Sequence, residues 1–271
     1  MKTSVRLIIV ICFLLSLSWK GVRALQAQQS GTATAEENLK FQPRLVTKTV
    51  RVIDPPAHGS LTTTLKGTEL APNASGQAKL KMGDAEVTVE AQANGLGAPG
   101  TFGTQFETYV VWAITSGGKA FKLGVMETKG NRFELNTKSA VRSFAIVVTA
   151  EPYQQVTRPA DRIVLEVPAG GQTVAVSCQF LKGGYGPAGY VFPAIDTGAG
   201  YPPQIVQMYN ARRIATLAGA ERDDNFRMGA ELFNSVVYSA EREKKFSEAI
   251  LGQARSASQY FELARAKTVH P

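Results

Sequence analysis

Histidine and cysteine are nearly missing from this 271-residue chain, with two of each. His58 and His270 are far apart, so no His/Cys ligand set for zinc can be assembled from spacing. No G-x-S-x-G elbow accompanies His58, which lies in the turn-like run Pro55-Pro56-Ala57-His58-Gly59-Ser60. A hydrolase built on His58 is the one enzyme reading left. The expectation is no enzyme, no cofactor and no metal. Carboxylates are scattered, and the single acidic cluster, Asp223-Asp224, is suited to capping a helix. The glycines of 95–103 are not followed by Lys-Ser/Thr, so they form a loop and not a phosphate cradle.

Long apolar runs are equally scarce. The only one, residues 7–19, follows Lys2 and Arg6 and is too short to cross a hydrocarbon core about 30 Å thick. The charged flank, apolar stretch and small residues near 22–27 have the pattern of an export signal. Cleavage after Ala24 is expected, with Ala27 as the other site and an uncleaved anchor as the alternative. Cys12 is preceded by Ile11, which does not suit a lipoprotein signal. Any contact with a membrane is therefore expected only through an uncleaved signal. The mature chain would sit in the periplasm, the outer envelope or outside the cell.

Removing residues 1–24 takes away four basic residues (Lys2, Arg6, Lys20 and Arg23) and no acidic one. The 30 basic residues become 26 against 22 acidic, a net charge of +4. That excess is divided evenly along the chain. A nucleic-acid partner, which would need basic charge gathered on one face, is not expected. Cys178 is then the only cysteine, which rules out an intrachain disulfide. Its apolar setting, TVAVSCQFL, suits a small buried hydrophobe better than a reactive thiol or an intermolecular bridge.

What is present divides into stretches. Residues 25–40 are small and polar and read as a flexible lead. Residues 41–181 are rich in β-branched residues. Strands are expected at 45–53, 86–91, 109–115, 120–128, 132–136, 143–150, 162–167 and 173–181. Gly117-Gly118 should make a two-residue hairpin connection. Segments of this length without intervening helices predict an antiparallel Ig-like β-sandwich.

Residues 182–203 are punctuated by Gly and Pro and read as a linker. Their aromatics Tyr185, Tyr190 and Phe192, with Tyr153, could instead form a sugar platform. Residues 204–267 show helical stripes. The first is Ile205, Met208, Ala211, Ile214 and Ala218, ended by Gly219; the second is Phe226, Ala230, Phe233, Val237 and Ala240. The third stripe, Phe246, Ile250, Ala254, Ala257, Phe261 and Ala264, is out of phase with the second. A break at 242–245 and an antiparallel three-helix segment follow. The fold class expected is α+β with the two kinds of element segregated.

Two segments carry a resemblance. Tyr109-Val110-Val111-Trp112-Ala113-Ile114-Thr115 through Leu123-Gly124, with residues 144–153 (FAIVVTAEPY), resembles a β-sandwich of uncharacterised exported bacterial proteins. The tail, with Ala211, Ala215, Ala218-Gly219-Ala220, Ala230 and Ala240, resembles an Ala-rich helical domain of envelope proteins, which sometimes precedes an OmpA-type domain. The chain stops at Pro271 without such a domain, so the resemblance implies no peptidoglycan anchoring by that route. It implies a structural or adaptor role, with an envelope protein or a second copy as partner. The helical bundle or coiled coil would present Phe226, Phe233, Phe246 and Phe261 to that partner. A carbohydrate- or peptide-binding sandwich is the alternative.

Overall fold

The computed structural model describes residues 44–170, 173–182, 201–243 and 245–269. All of them belong to one compact unit, Phe41–Pro271. The expected signal, the lead, and Tyr185, Tyr190 and Phe192 lie outside the described residues. Over the described residues the fold is mixed α+β: an eleven-stranded antiparallel sheet, coiled nearly into a barrel, with three α-helices.

The strands are β1 (Arg44–Ile53), β2 (Gly59–Gly67), β3 (Ser75–Met82), β4 (Val87–Asn94), β5 (Thr108–Thr115), β6 (Ala120–Val125), β7 (Glu127–Lys129), β8 (Arg132–Ser139), β9 (Phe144–Glu151), β10 (Ile163–Glu166) and β11 (Thr173–Lys182). Their order is β11-β1-β9-β10-β2-β3-β4-β8-β7, with β6-β5 attached to the far side of β9. At the seam, β6 comes back toward β8. Thr137 Oγ1 donates to the Leu123 carbonyl at 3.2 Å, and a Cβ on Gly124 would lie 2.8 Å from Leu135.

The core follows from the composition of the central strands. All eight residues of β9 are buried, and its six apolar ones divide between two apolar clusters. Phe144, Ile146, Val148 and Ala150 belong to the main cluster, whereas Ala145 and Val147 belong to the smaller one. Successive strand side chains point to opposite faces, so a strand buried throughout must be covered on both. The second cover is the β1–β11 ribbon, paired over ten residues and joined to β9 only through Ile53 and Phe144. Val50, Val52, Cys178 and Phe180 of the ribbon share the smaller cluster with Ile114, Ala145, Val147 and Ile163.

Differences from the sequence expectation have local causes. The β2–β3 hairpin was not expected, because its Thr- and Lys-rich strands bury one face only. Residues 120–128, read as one strand, are interrupted at Met126, whose side chain turns into the core. The expected two-residue turn at Gly117-Gly118 is a four-residue connection, 116–119, and only Gly118 has positive φ, at 76°. Gly118 is required twice over, since a Cβ there would lie 2.2 Å from the Ser177 carbonyl oxygen of β11.

The helices are α1 (Pro203–Leu217), α2 (Asp224–Glu243) and α3 (Glu248–Ala266). Pro203 opens α1, and Gly219 at φ 73° ends it in the left-handed conformation that favours glycine. The Ser247 hydroxyl caps α3 by accepting from Ile250 N. α3 is central and packs on both other helices. Ile205, Met208, Ala211, Ile214, Ala254, Ala257, Phe261 and Ala264 are buried and belong to the same cluster as the barrel interior. The strands and helices thus share one core.

Cys178 is buried, and desolvation pushes its thiol up to about 11. The thiolate is the reactive form. Native protein at pH 8 is expected to label slowly at Cys178, and unfolded protein rapidly. Site-resolved mass spectrometry of an alkylation time course checks this, and equal rates would contradict it.

Candidate functional site

The helices meet the sheet at a buried polar joint. Strand register places Val110, Trp112, Lys122, Val147, Thr149 and Glu151 on one face of β5, β6 and β9. Trp112 Nε1 donates to Thr149 Oγ1 at 2.9 Å, and that hydroxyl donates to Glu151 Oε1. The Ala160 N–H also donates to Glu151 Oε1, at 2.8 Å, which closes the loop that follows β9.

This loop carries the joint onto α3. Glu262 is 1% exposed and Arg265 is fully buried, one helical turn apart. Arg265 donates through Nε to Glu262 Oε2 at 2.6 Å and through Nη2 to Oε1 at 2.5 Å, a bidentate pair. The Tyr153 hydroxyl donates to Oε2 at 2.7 Å. The backbone N–H and the hydroxyl of Thr157 donate to Oε1 at 2.8 and 2.6 Å. Two further ties lie on α1: Gln154 N–H donates to Gln207 Oε1 at 3.1 Å, and Asn210 Nδ2 donates to the Gln105 carbonyl at 3.3 Å.

Electrostatics agrees with this geometry. Burial pushes the Glu262 carboxyl up, but the Arg265 charge and the hydrogen bonds from Arg265, Thr157 and Tyr153 outweigh it and hold it below its ordinary value. Burial, reinforced by the negative charge of Glu262, holds the Tyr153 phenol well above its usual range, so the proton stays on the donor. The folded carboxyl is depressed relative to the unfolded one, about 4.3. Its stabilising contribution is therefore present above that value and lost as pH falls through the folded value. The stability gap between the unmodified chain and Glu262→Gln should narrow on acidification below about pH 5. Denaturant titrations at several pH values measure it, and a gap unchanged from pH 7 to 3 would contradict the assignment.

The residues expected to act from sequence are placed differently. Tyr153 is fully buried on Glu262 and is not presented as a sugar platform. Phe233 and Phe261 are buried, and Phe226 stacks edge-on to Phe261 at 5.1 Å. Phe246 meets Tyr201 at 5.3 Å. Of the four phenylalanines offered to a partner, Phe233 and Phe261 thus lie inside the chain, whereas Phe226 and Phe246 are half-buried. His58 is exposed in the turn between β1 and β2.

The described residues also form depressions on the surface. One, of about 350 Å³, runs over Glu90, Gln92, Glu127, Lys129, Glu134 and Asn136 on the outside of β4, β8 and β7. There Glu134 is paired with Arg132 and with Lys129, and Glu90 with Lys81. Another, of about 400 Å³, lies between α3 and Gln155 of the loop that follows β9. Among the described residues no three His, Cys, Asp or Glu side chains gather as metal ligands, and no helix is long and apolar enough to cross a membrane.

Sequence reasoning missed Glu262, Arg265, Glu151, Thr157 and Gln155. One signal was available: Arg265 lies four residues after Phe261, on the apolar stripe itself, and Glu262 lies one turn before it. A charged pair at core spacing needs a buried partner set. The fold and this joint define a mixed α+β protein in which a buried ion pair on α3, hydrogen-bonded by Tyr153 and Thr157, ties the helix to a barrel-like sheet. No family model matches the chain, and no curated protein is similar to it.

Proposed function

We propose that this chain is a non-enzymatic exported envelope protein with a structural or adaptor role. The observation that carries the reading is the saturation of Glu262. Both its oxygens are occupied by Arg265, Tyr153 and Thr157, so this deeply buried carboxylate joins α3 to the sheet and has no oxygen left for a substrate. The joint favours a rigid body that presents its helical layer outward. On this reading residues 1–24 direct export, and the sheet is a sandwich in the Ig-like sense, with the β1–β11 ribbon as part of its second layer. Crosslinking of the tagged protein in its native cells tests the role. One envelope protein recovered in stoichiometric amount is the expected result. A strictly monomeric protein that captures no envelope component would overturn it.

The second reading is a carbohydrate- or peptide-binding module. It is favoured by the groove beside α3, whose lining combines the polar side chains of Gln155, Arg255, Ser256 and Gln259 with Tyr260 and Leu263.

A further inference from the structure

The loop that follows β9 has two sides. Tyr153 and Thr157 reach inward to Glu262, whereas Gln155, between them, lines the groove with Arg255, Ser256, Gln259, Tyr260 and Leu263. These α3 residues recur three to four positions apart, so they share one face of the helix. The groove's volume, about 400 Å³, falls within the range of small-molecule sites, roughly 300–1,000 Å³.

Its chemistry is specific. The Gln155 carboxamide oxygen is shut off from solvent and has no hydrogen-bond partner. A buried amide oxygen without a donor is destabilising until a donor reaches it. Turning the Gln155 side chain brings that oxygen into the groove, where it can accept from a ligand hydroxyl. Ser256 and Gln259 likewise donate and accept. Tyr260 is half-buried and Leu263 is exposed, which gives an apolar wall at the groove. Arg255 meets Glu248 only at 3.7 Å, and the Glu248 side chain is 88% exposed and able to swing aside. The guanidinium fork then matches a carboxylate.

We propose that this groove binds a carboxylated saccharide of the hexuronate kind. Arg255 holds the carboxylate, and Gln155, Ser256 and Gln259 hold the hydroxyls. Tyr260 and Leu263 cover the apolar face of a ring. The proposal rests on the carbohydrate-binding reading and gives it a location and a ligand class. An acidic peptide would satisfy Arg255, but it offers fewer groups that donate and accept at once.

The full chain is titrated with a galacturonic acid tetramer and with a neutral galactose tetramer, by calorimetry and by amide shifts of α3. The acidic tetramer is expected to bind more tightly and to shift residues 255–263. Arg255→Gln should weaken the acidic tetramer about tenfold and leave the neutral one within about twofold. Tyr260→Ala should weaken both about fivefold or more. Both variants alter the outer face of α3 and should keep the melting temperature, and any variant that loses it is replaced by Gln155→Leu. Tetramer binding that these substitutions leave unchanged would overturn the groove while the carbohydrate-binding reading stands. Binding of neither tetramer would overturn both. Tighter binding of an aspartate-rich peptide in the same groove would replace the saccharide with a peptide.

Discussion

Replacing Arg265 with methionine is expected to lower the stability of the fold by about 3–5 kcal/mol, the usual consequence of stranding a buried charge. Glu262 would keep the Tyr153 and Thr157 hydrogen bonds but lose both guanidinium donors and the compensating charge. Removing both partners, in Glu262→Leu/Arg265→Met, should be less damaging than the single change, because no ion is left buried. The double variant still leaves the Tyr153 hydroxyl without its acceptor, so recovery should be incomplete. Denaturant unfolding of the four proteins in a double-mutant cycle measures the coupling. A single variant within about 1 kcal/mol of the unmodified chain would mean that the pair contributes little to joining helix and sheet.

A similar loss, about 3–5 kcal/mol, is expected for Phe261→Ala, by lost transfer free energy and by the cavity it opens. Phe261 is the hub of the helical layer. Its ring meets Phe226 at 5.1 Å and Phe233 at 6.5 Å, and a Cβ on Gly229 would lie 3.0 Å from it. Gly229 thus lets α2 approach α3 at the ring. α2 buries only Gly229, Phe233 and Val236 fully, so it depends on this contact more than the other helices do. Amide exchange in α2 should accelerate well before exchange in β5 and β9. Uniform acceleration through helices and sheet would show instead that the layers open as one unit. Phe261→Leu, which keeps most of the volume, should lose less.

The segregation of strands before helices, the central place of β5 and β9, and the break between α2 and α3 were legible because each rests on local periodicity. An apolar run with no polar alternate, such as YVVWAIT, can only be covered on both faces. A stripe that shifts phase at 242–245 can only be continued by a new helix. β2 and β3 were not legible, since their Thr and Lys residues carry little hydrophobic signal until β4 and β10 pair with them.

The joint and the groove were out of reach for a different reason. Tyr153 and Glu262 are 109 residues apart, and Trp112 and Thr149 are 37 apart. Nothing in either segment states that the other will arrive. Spacing alone determined which faces of each element are apolar, and hence that the aromatic stripes would be buried. Only the tertiary structure decided what covers Phe233 and Phe261: other parts of the same chain, because covering an apolar face within one chain avoids the entropy lost in joining two. The same packing turned Tyr153 inward to a carboxylate and left Gln155, two residues on, without a partner at the edge of a groove.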